Sequence, residues 1–261
     1  MISPILFAGI IFSAICSLVI PIAVWIYLIK KDKTGSMNRF ILLGLFSCFV
    51  AQIIIRDPLL LILSTQDSFA DFANNNPILF ALFLSFTRGL FDTLARFLIL
   101  KFAVKENIRF NSALGTGFGH GLSETIAYTG ISVRVNLIVS IMINTNSLPN
   151  TEQYKTIAET LSSQPISSFF AAGTERILAI LIHIGLSVII AYFIKKNMSA
   201  AGFAICLAAH TVYDLTVSLI SQSGASVWFT VIAATVFAAA FTAVTIYMRN
   251  AENADTPKII N

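Results

Sequence analysis

Residues 177 to 194 read Ile-Leu-Ala-Ile-Leu-Ile-His-Ile-Gly-Leu-Ser-Val-Ile-Ile-Ala-Tyr-Phe-Ile, an apolar run broken by one ionisable side chain, His183. With its flank the run covers about residues 167 to 194, and about 20 largely apolar residues suffice for a helix to cross the hydrocarbon core of a bilayer. Backbone groups cannot stay unpaired in lipid, and the run is too long and continuous for a barrel strand, so it reads as a transmembrane helix. Six further stretches read the same way, at about residues 3–29, 38–63, 78–100, 112–133, 199–221 and 225–248. The expected fold is an all-α integral membrane protein, a bundle of about seven transmembrane helices. It forms a single polytopic membrane domain over residues 1–261, with a core of about 78–221 and peripheral helices at 3–63 and 225–248.

The composition agrees. Of 261 residues, 56% are hydrophobic and 11% charged, with a mean hydropathy of +0.82; a soluble domain carries about 25% charged residues. The 22 Phe residues and the scarcity of charge exclude disorder, collagen and coiled coil. Cys16, Cys48 and Cys206 lie in apolar runs without a pairing pattern and read as small hydrophobes with no redox role. Lys30, Lys31, Lys33 and Arg39 follow the first span, Lys101, Lys105 and Arg109 the third, Lys195 and Lys196 the fifth, and Arg249 and Lys258 the seventh. The other side has only Arg134 and Lys155, in the loop expected after the fourth span. Basic loops stay cytoplasmic, which predicts an outside N-terminus and a cytoplasmic C-terminus in a multi-pass protein of the cell membrane. Topology thus explains the net charge of +4 without a nucleic-acid partner. The first span is too long for a signal peptide and lacks a basic leader and a small-residue cleavage site.

Ionisable residues inside the spans are the informative exceptions. Arg56, Asp57, Arg88, Asp92, Arg96, Glu124, Glu175, Arg176 and Asp214 fall there, with all three histidines, His120, His183 and His210. Each such group near the bilayer centre costs at least about 2.5–3.5 kcal/mol on insertion scales, so they are expected to face one another. Asp92, His120, Glu124, His183 and His210 each lie within about one helical turn of the midpoint of their span. Four consecutive helices therefore meet at one level with imidazoles and carboxylates, the ingredients of a proton-transfer or metal site.

Spacing within the helices sharpens this expectation. Arg88, Asp92 and Arg96 recur at intervals of four and share a face, giving the carboxylate two cationic neighbours. His120 and Glu124 are four apart, as are His210 and Asp214. Residues 115–124 read Gly-Thr-Gly-Phe-Gly-His-Gly-Leu-Ser-Glu, whose alternating glycines permit close helix approach rather than phosphate binding, since no Gly-Lys-Ser/Thr follows. Arg56 with Asp57 and Glu175 with Arg176 lie nearer the outer span ends and read as structural pairs or charges at a cavity mouth. Trp25 and Trp228 read as interfacial anchors.

Gly89-Leu90-Phe91-Asp92-Thr93-Leu94-Ala95-Arg96 resembles the Glu-Glu-x-x-x-Arg first motif of the CAAX-protease and bacteriocin-processing superfamily. Thr116-x-x-x-His120 resembles its second motif, aromatic-x-x-x-His, and His210-x-x-x-Asp214 its last, His-x-x-x-Asn/Asp. Within that superfamily, Gly117-x-Gly-His-Gly-x-x-Glu124, Glu175-Arg176 and His183-x-x-x-Ser187 look like the YhfC family of intramembrane metalloproteases. The likeness runs from about Gln52 to Asp214. Two positions depart from the pattern: Asp92-Thr93 replaces the paired glutamates, and Thr116 stands where an aromatic residue is usual.

The resemblance implies hydrolysis of a peptide bond in a membrane-embedded or lipidated peptide or membrane-protein substrate, with the lipid bilayer as the other partner. On this chain Asp92 and His120 would hold and deprotonate a water, and Glu124 would orient His120 or replace the missing acid. His210, backed by Asp214, would stabilise the oxyanion or protonate the leaving amine, with His183 as a further member. Arg96 would hold Asp92, with Glu175 and Arg176 in support. Hydrolysis requires water, and a polar cavity is expected to open towards the cytoplasmic half. The cofactor stays open between a metal-free carboxylate mechanism, slightly favoured, and a Zn2+ held by His120, His183 and His210 with Glu124 or Asp92. Two other functions use the same residues: a proton-coupled transporter, which would show repeat-related broken helices, and a non-catalytic scaffold derived from the protease fold.

Overall fold

The computed structural model describes residues 2–105 and 108–255; Lys258, counted above among the basic residues, lies outside them. Among the described residues there are helices and no strands, and seven helices are long and apolar enough to cross a membrane. These are α1 (Pro4–Lys31), α2 (Met37–Ser64), α4 (Pro77–Val104), α5 (Phe110–Asn144), α7 (Ile166–Lys195), α8 (Ser199–Gln222) and α9 (Trp228–Glu252). Two short helices join them at the end remote from the basic loops, α3 (Asp67–Asn75) and α6 (Glu152–Ser163). The protein is a multi-pass membrane protein.

One span differs from expectation. The fourth runs on to Asn144, so Arg134 is not in a loop but inside α5, its Nε donating to the Gly130 carbonyl at 3.0 Å. The reason lies in residues 131–144, which continue the apolar pattern past the polar break at Arg134. At 1.5 Å per residue its 35 residues exceed the roughly 30 Å of hydrocarbon core. Lys155 likewise sits on a helix, α6, where Glu152 accepts its ammonium at 3.1 Å. Wide π-helical stretches interrupt α2 at Phe49–Arg56 and α5 at Thr125–Gly130, each beside an ionisable residue of interest; such stretches re-aim side chains and are frequent near functional sites.

The packing turns on α5 and α7. Apolar on all sides apart from its few polar residues, α7 is the most buried of the spans. The alternating glycines of α5 divide between two neighbours, because residues two apart lie on nearly opposite faces of a helix. Gly119 meets α2, where an added Cβ would collide with the Ile41 carbonyl oxygen, and Gly44 returns the contact against the Thr116 carbonyl. Gly117 meets α7, where a Cβ would lie 2.6 Å from the Ile184 Cα. Backbones thus touch on both sides of α5, and His120 and Glu124 are carried between α2, α4 and α7.

At the end of the bundle bearing the basic loops, Leu100, Val104, Leu186, Ile190, Cys206 and Ala238 form a dry apolar cluster with Phe241 and Ile108.

Gly119→Ala should destabilise the folded protein by at least about 3 kcal/mol, at the upper end of what overpacking costs, because backbone rather than a side chain blocks the methyl. Gly130→Ala, whose methyl meets the end of the Leu18 side chain at 3.0 Å and the Thr125 carbonyl oxygen at an ordinary 3.5 Å, should cost far less. Unfolding of the two variants in detergent measures the difference; equal losses would contradict the close approach of α5 to α2.

Candidate functional site

The ionisable residues singled out in the sequence come together from four helices. Asp92 and Arg96 project from α4, His120 and Glu124 from α5, His183 from α7, and His210 and Asp214 from α8. Asp92, Arg96 and His120 are fully inaccessible, and His183, His210 and Glu124 are buried. His120 Nε2 lies 2.9 Å from Asp92 Oδ1, His183 Nε2 2.6 Å from Glu124 Oε2, and His210 Nε2 3.7 Å from Asp92 Oδ2 and 3.5 Å from Asp214 Oδ2. The His183 ring is 5.1 Å from that of His120 and 5.6 Å from that of His210, centre to centre. All three imidazoles therefore share one locus.

Hydrogen-bond partners assign the imidazole tautomers. Ser47 gives its hydroxyl proton to the Gly44 carbonyl at 2.7 Å, so towards His120 Nδ1 at 3.1 Å its oxygen acts as acceptor. His120 consequently carries a proton on Nδ1 and turns a lone pair on Nε2 towards Asp92. That carboxylate oxygen already accepts from Gln52 Nε2 at 2.7 Å, and a carboxylate offers only acceptors. Two lone pairs 2.9 Å apart require a proton or a metal cation between them, and neither His120 Nε2 nor Asp92 Oδ2 has a hydrogen-bond partner. His183 is arranged oppositely. A guanidinium only donates, so the Arg96 head group in contact with Nδ1 leaves the ring proton on Nε2, where Glu124 accepts it.

The arginines are shared differently from the pattern in sequence. Arg96 reaches Asp92 Oδ2 at 4.0 Å, but Arg88, one turn further along α4, pairs with Glu124 at 4.0 Å instead of Asp92. Arg176 also turns to Glu124, at 3.7 Å, while its neighbour Glu175 accepts from Thr230, so these two do not pair. Arg56 does pair with Asp57, at 3.5 Å, and Tyr128 donates to the other Asp57 oxygen at 2.8 Å. Sequence reading missed Ser47, Gln52 and Cys48, all on α2. The signal was present: Gln52 is an amide in the apolar run 49–55, on the same helix face as Cys48 one turn earlier.

A cavity of about 520 Å³ leads to these groups. Its inner wall is Glu124, His183, His210 and Asp214; it continues past Arg88, Arg176 and Tyr213 to Ser218, Ser221 and Gln222. Those last residues end α8 at the side remote from the basic loops. The opening is therefore at the opposite end from the one expected, and the cause is packing: the Leu100–Leu186–Cys206 cluster fills the basic end, whereas three arginines line the other.

Comparison with known proteins agrees with this picture. A family model described as the YhfC intramembrane metalloprotease matches residues 16–237, a range that contains every residue of the site. The chain belongs to this family. It is 26% identical over 175 residues to the uncharacterized membrane protein YhfC of Bacillus subtilis (strain 168), covering 64% of this chain and 67% of that protein. No solved structure matches the chain.

A metalloprotease family implies a metal, and the donor atoms of this YhfC chain fit one. Ligand atoms of Cys48, Asp92 and His120 lie within 4.8 Å of one another, as do those of Asp92, Glu124 and His183, all buried. In the second group His183 has both nitrogens engaged, as argued above, which leaves it no lone pair to offer. The first retains the Nε2 lone pair of His120 and a partnerless Asp92 oxygen, and Cys48, read from the sequence as a small hydrophobe, adds a sulfur donor suited to zinc.

Arg96→Met removes the only cation in contact with Asp92 inside the dry floor among the described residues, and breaking a buried pair from one side costs about 3–5 kcal/mol. The expected outcome is a loss of that order in detergent unfolding, while nitrogen-15 histidine spectra still show His183 protonated on Nε2, where Glu124 accepts. A His183 protonated on Nδ1 alone would contradict the assignment.

Proposed function

We propose that this YhfC-family protein is an intramembrane protease that hydrolyses a peptide bond in a membrane-embedded or lipidated substrate. The observation that carries the reading is the meeting of His120 and Asp92 lone pairs beside a His183–Glu124 pair at the inner wall of a polar cavity. The motif likeness over residues 89–96, 116–120 and 210–214 supports placement in the CAAX-protease and bacteriocin-processing superfamily. The distribution of basic loops supports an outside N-terminus and cytoplasmic C-terminus, so that the cavity faces outward.

In the mechanism, Cys48, Asp92 and His120 would hold a divalent cation such as Zn2+, with Ser47 and Gln52 fixing the orientation of the last two. Such an ion supplies Lewis acidity, which makes water nucleophilic at neutral pH. Glu124, held by His183, takes a proton from the attacking water as the new carbon–oxygen bond forms. His210, in its imidazolium form with Nε2 turned to Asp92 and Asp214, donates from the partnerless Nδ1 to the carbonyl oxygen while negative charge develops there. When the carbon–nitrogen bond breaks, Glu124 returns the proton to the leaving amine. The products are a carboxylate and an amine. Arg96 acts through His183 and Asp92 as a positioning residue.

Cleavage of a panel of lipidated and transmembrane peptides in liposomes should fall by at least 10²-fold in His120→Ala and His210→Ala, the lower range for removing an acid–base or oxyanion group. Cleavage that survives both substitutions would end the assignment. Purified protein should contain about one chelator-removable zinc per chain, and the cobalt-substituted form should show a sulfur-to-metal absorption band that Cys48→Ala abolishes. Full cleavage by rigorously metal-free protein would eliminate the cation from the scheme.

A further inference from the structure

We infer that Arg88 and Arg176 clamp a carboxylate of the substrate, so that the bond cleaved lies beside an acidic group. The inference rests on the protease reading and specifies its substrate class. Four arginines enter the buried region, and their surroundings sort them into two kinds. Arg96 is sealed in the dry floor. Arg56 is buried with its donors satisfied by the Leu84 carbonyl, Thr87 and Gln52. Both are structural in that sense.

Arg88 and Arg176 differ. They line the cavity from α4 and α7, with side chains 32% and 18% exposed. Both point at one atom, Glu124 Oε1, from 4.0 and 3.7 Å, which is beyond hydrogen-bond distance. Among the described residues neither head group makes a hydrogen bond. Arg88 lies over the Tyr128 ring, 5.1 Å from its centre, and Tyr128 is itself anchored to Asp57. Each guanidinium carries five donors in a planar fork suited to two-point binding of a carboxylate. Two such forks serve one carboxylate oxygen, which His183 already shares through the other oxygen of Glu124.

The other acidic groups facing the cavity do not meet this demand. Glu175 is engaged by Thr230, and Asp214 turns Oδ2 to His210 Nε2 at 3.5 Å. A substrate carboxylate between the two arginines would sit next to Glu124, hence within about one residue of a carbonyl presented to His210. Leu60, Leu84 and Val217 give the same cavity apolar wall for the rest of the peptide.

The carboxylate can come from a free C-terminus or from an acidic side chain, and matched probes separate the two. The probes are fluorescein-labelled Leu-Ala-Phe-Leu peptides with a free C-terminus or a C-terminal amide, and an amidated peptide with one internal Glu. Their binding to detergent-purified His210→Ala protein is read by anisotropy, with His210 replaced to stop turnover. At least one carboxylate peptide should bind about tenfold more tightly than the neutral amide, the value of one charge-assisted interaction. Whichever it is identifies the source. The preference should vanish when Arg176→Gln or Arg88→Gln is added and return in part with Arg176→Lys; unfolding curves verify that each variant is folded. Equal affinity for acid and amide peptides, a preference that persists in both glutamine variants, or no binding of any peptide overturns the clamp. Carboxylate-selective binding without cleavage by the wild type would leave the clamp standing and sink only the protease reading.

Discussion

Backbone contact between α5 and its two neighbours is the constraint from which the site follows. In lipid, helices gain little by hiding apolar surface from one another, so association depends on close packing and on polar groups that find partners. Gly117 and Gly119 let α7 and α2 approach from opposite sides, closer than any side chain would allow. His120 and Glu124, one turn apart on the same helix, are thereby pressed against Asp92, His183, Ser47 and Gln52. Without that proximity each ionisable group would face hydrocarbon alone, at a cost no single span could carry.

The polar interior is graded in hydration. Asp92, His120 and Arg96 are fully dry, Glu124 and Asp214 stand at the cavity wall, and Arg88 and Arg176 reach further into it. The dry groups orient one another while Asp92 Oδ2, His120 Nε2 and two Arg96 nitrogens stay without hydrogen-bond partners. The groups at the wall are the ones that the cavity reaches. Rigidity and reactivity are thus placed in successive layers along one axis, which is how a buried site can be both preorganised and accessible.

Much of this was legible in the sequence. Hydrophobic runs located six of the spans to within a few residues and missed the extension of the fourth to Asn144, and the depth of Asp92, His120, Glu124, His183 and His210 along their runs indicated that they share a level. Three kinds of information were not there. The partner chosen by each charge depends on how helices rotate against one another, so the i, i+4 series Arg88–Asp92–Arg96 suggested a ladder although Arg88 in fact crosses to Glu124. The contribution of α2 was also hidden, because Ser47, Cys48 and Gln52 are uncharged and draw notice only once α2 is known to lie against α5. The direction of the cavity depended on where bulky apolar residues fill space, and the charge pattern does not encode this.

That filling has a physiological consequence. Leu100, Val104, Leu186, Ile190 and Cys206 plug the bundle beyond the histidines, so the wet region ends blind. Protons and small ions that enter with water must return by the way they came. A polar chamber sunk partway into an insulating barrier can then be flooded without opening a path across it.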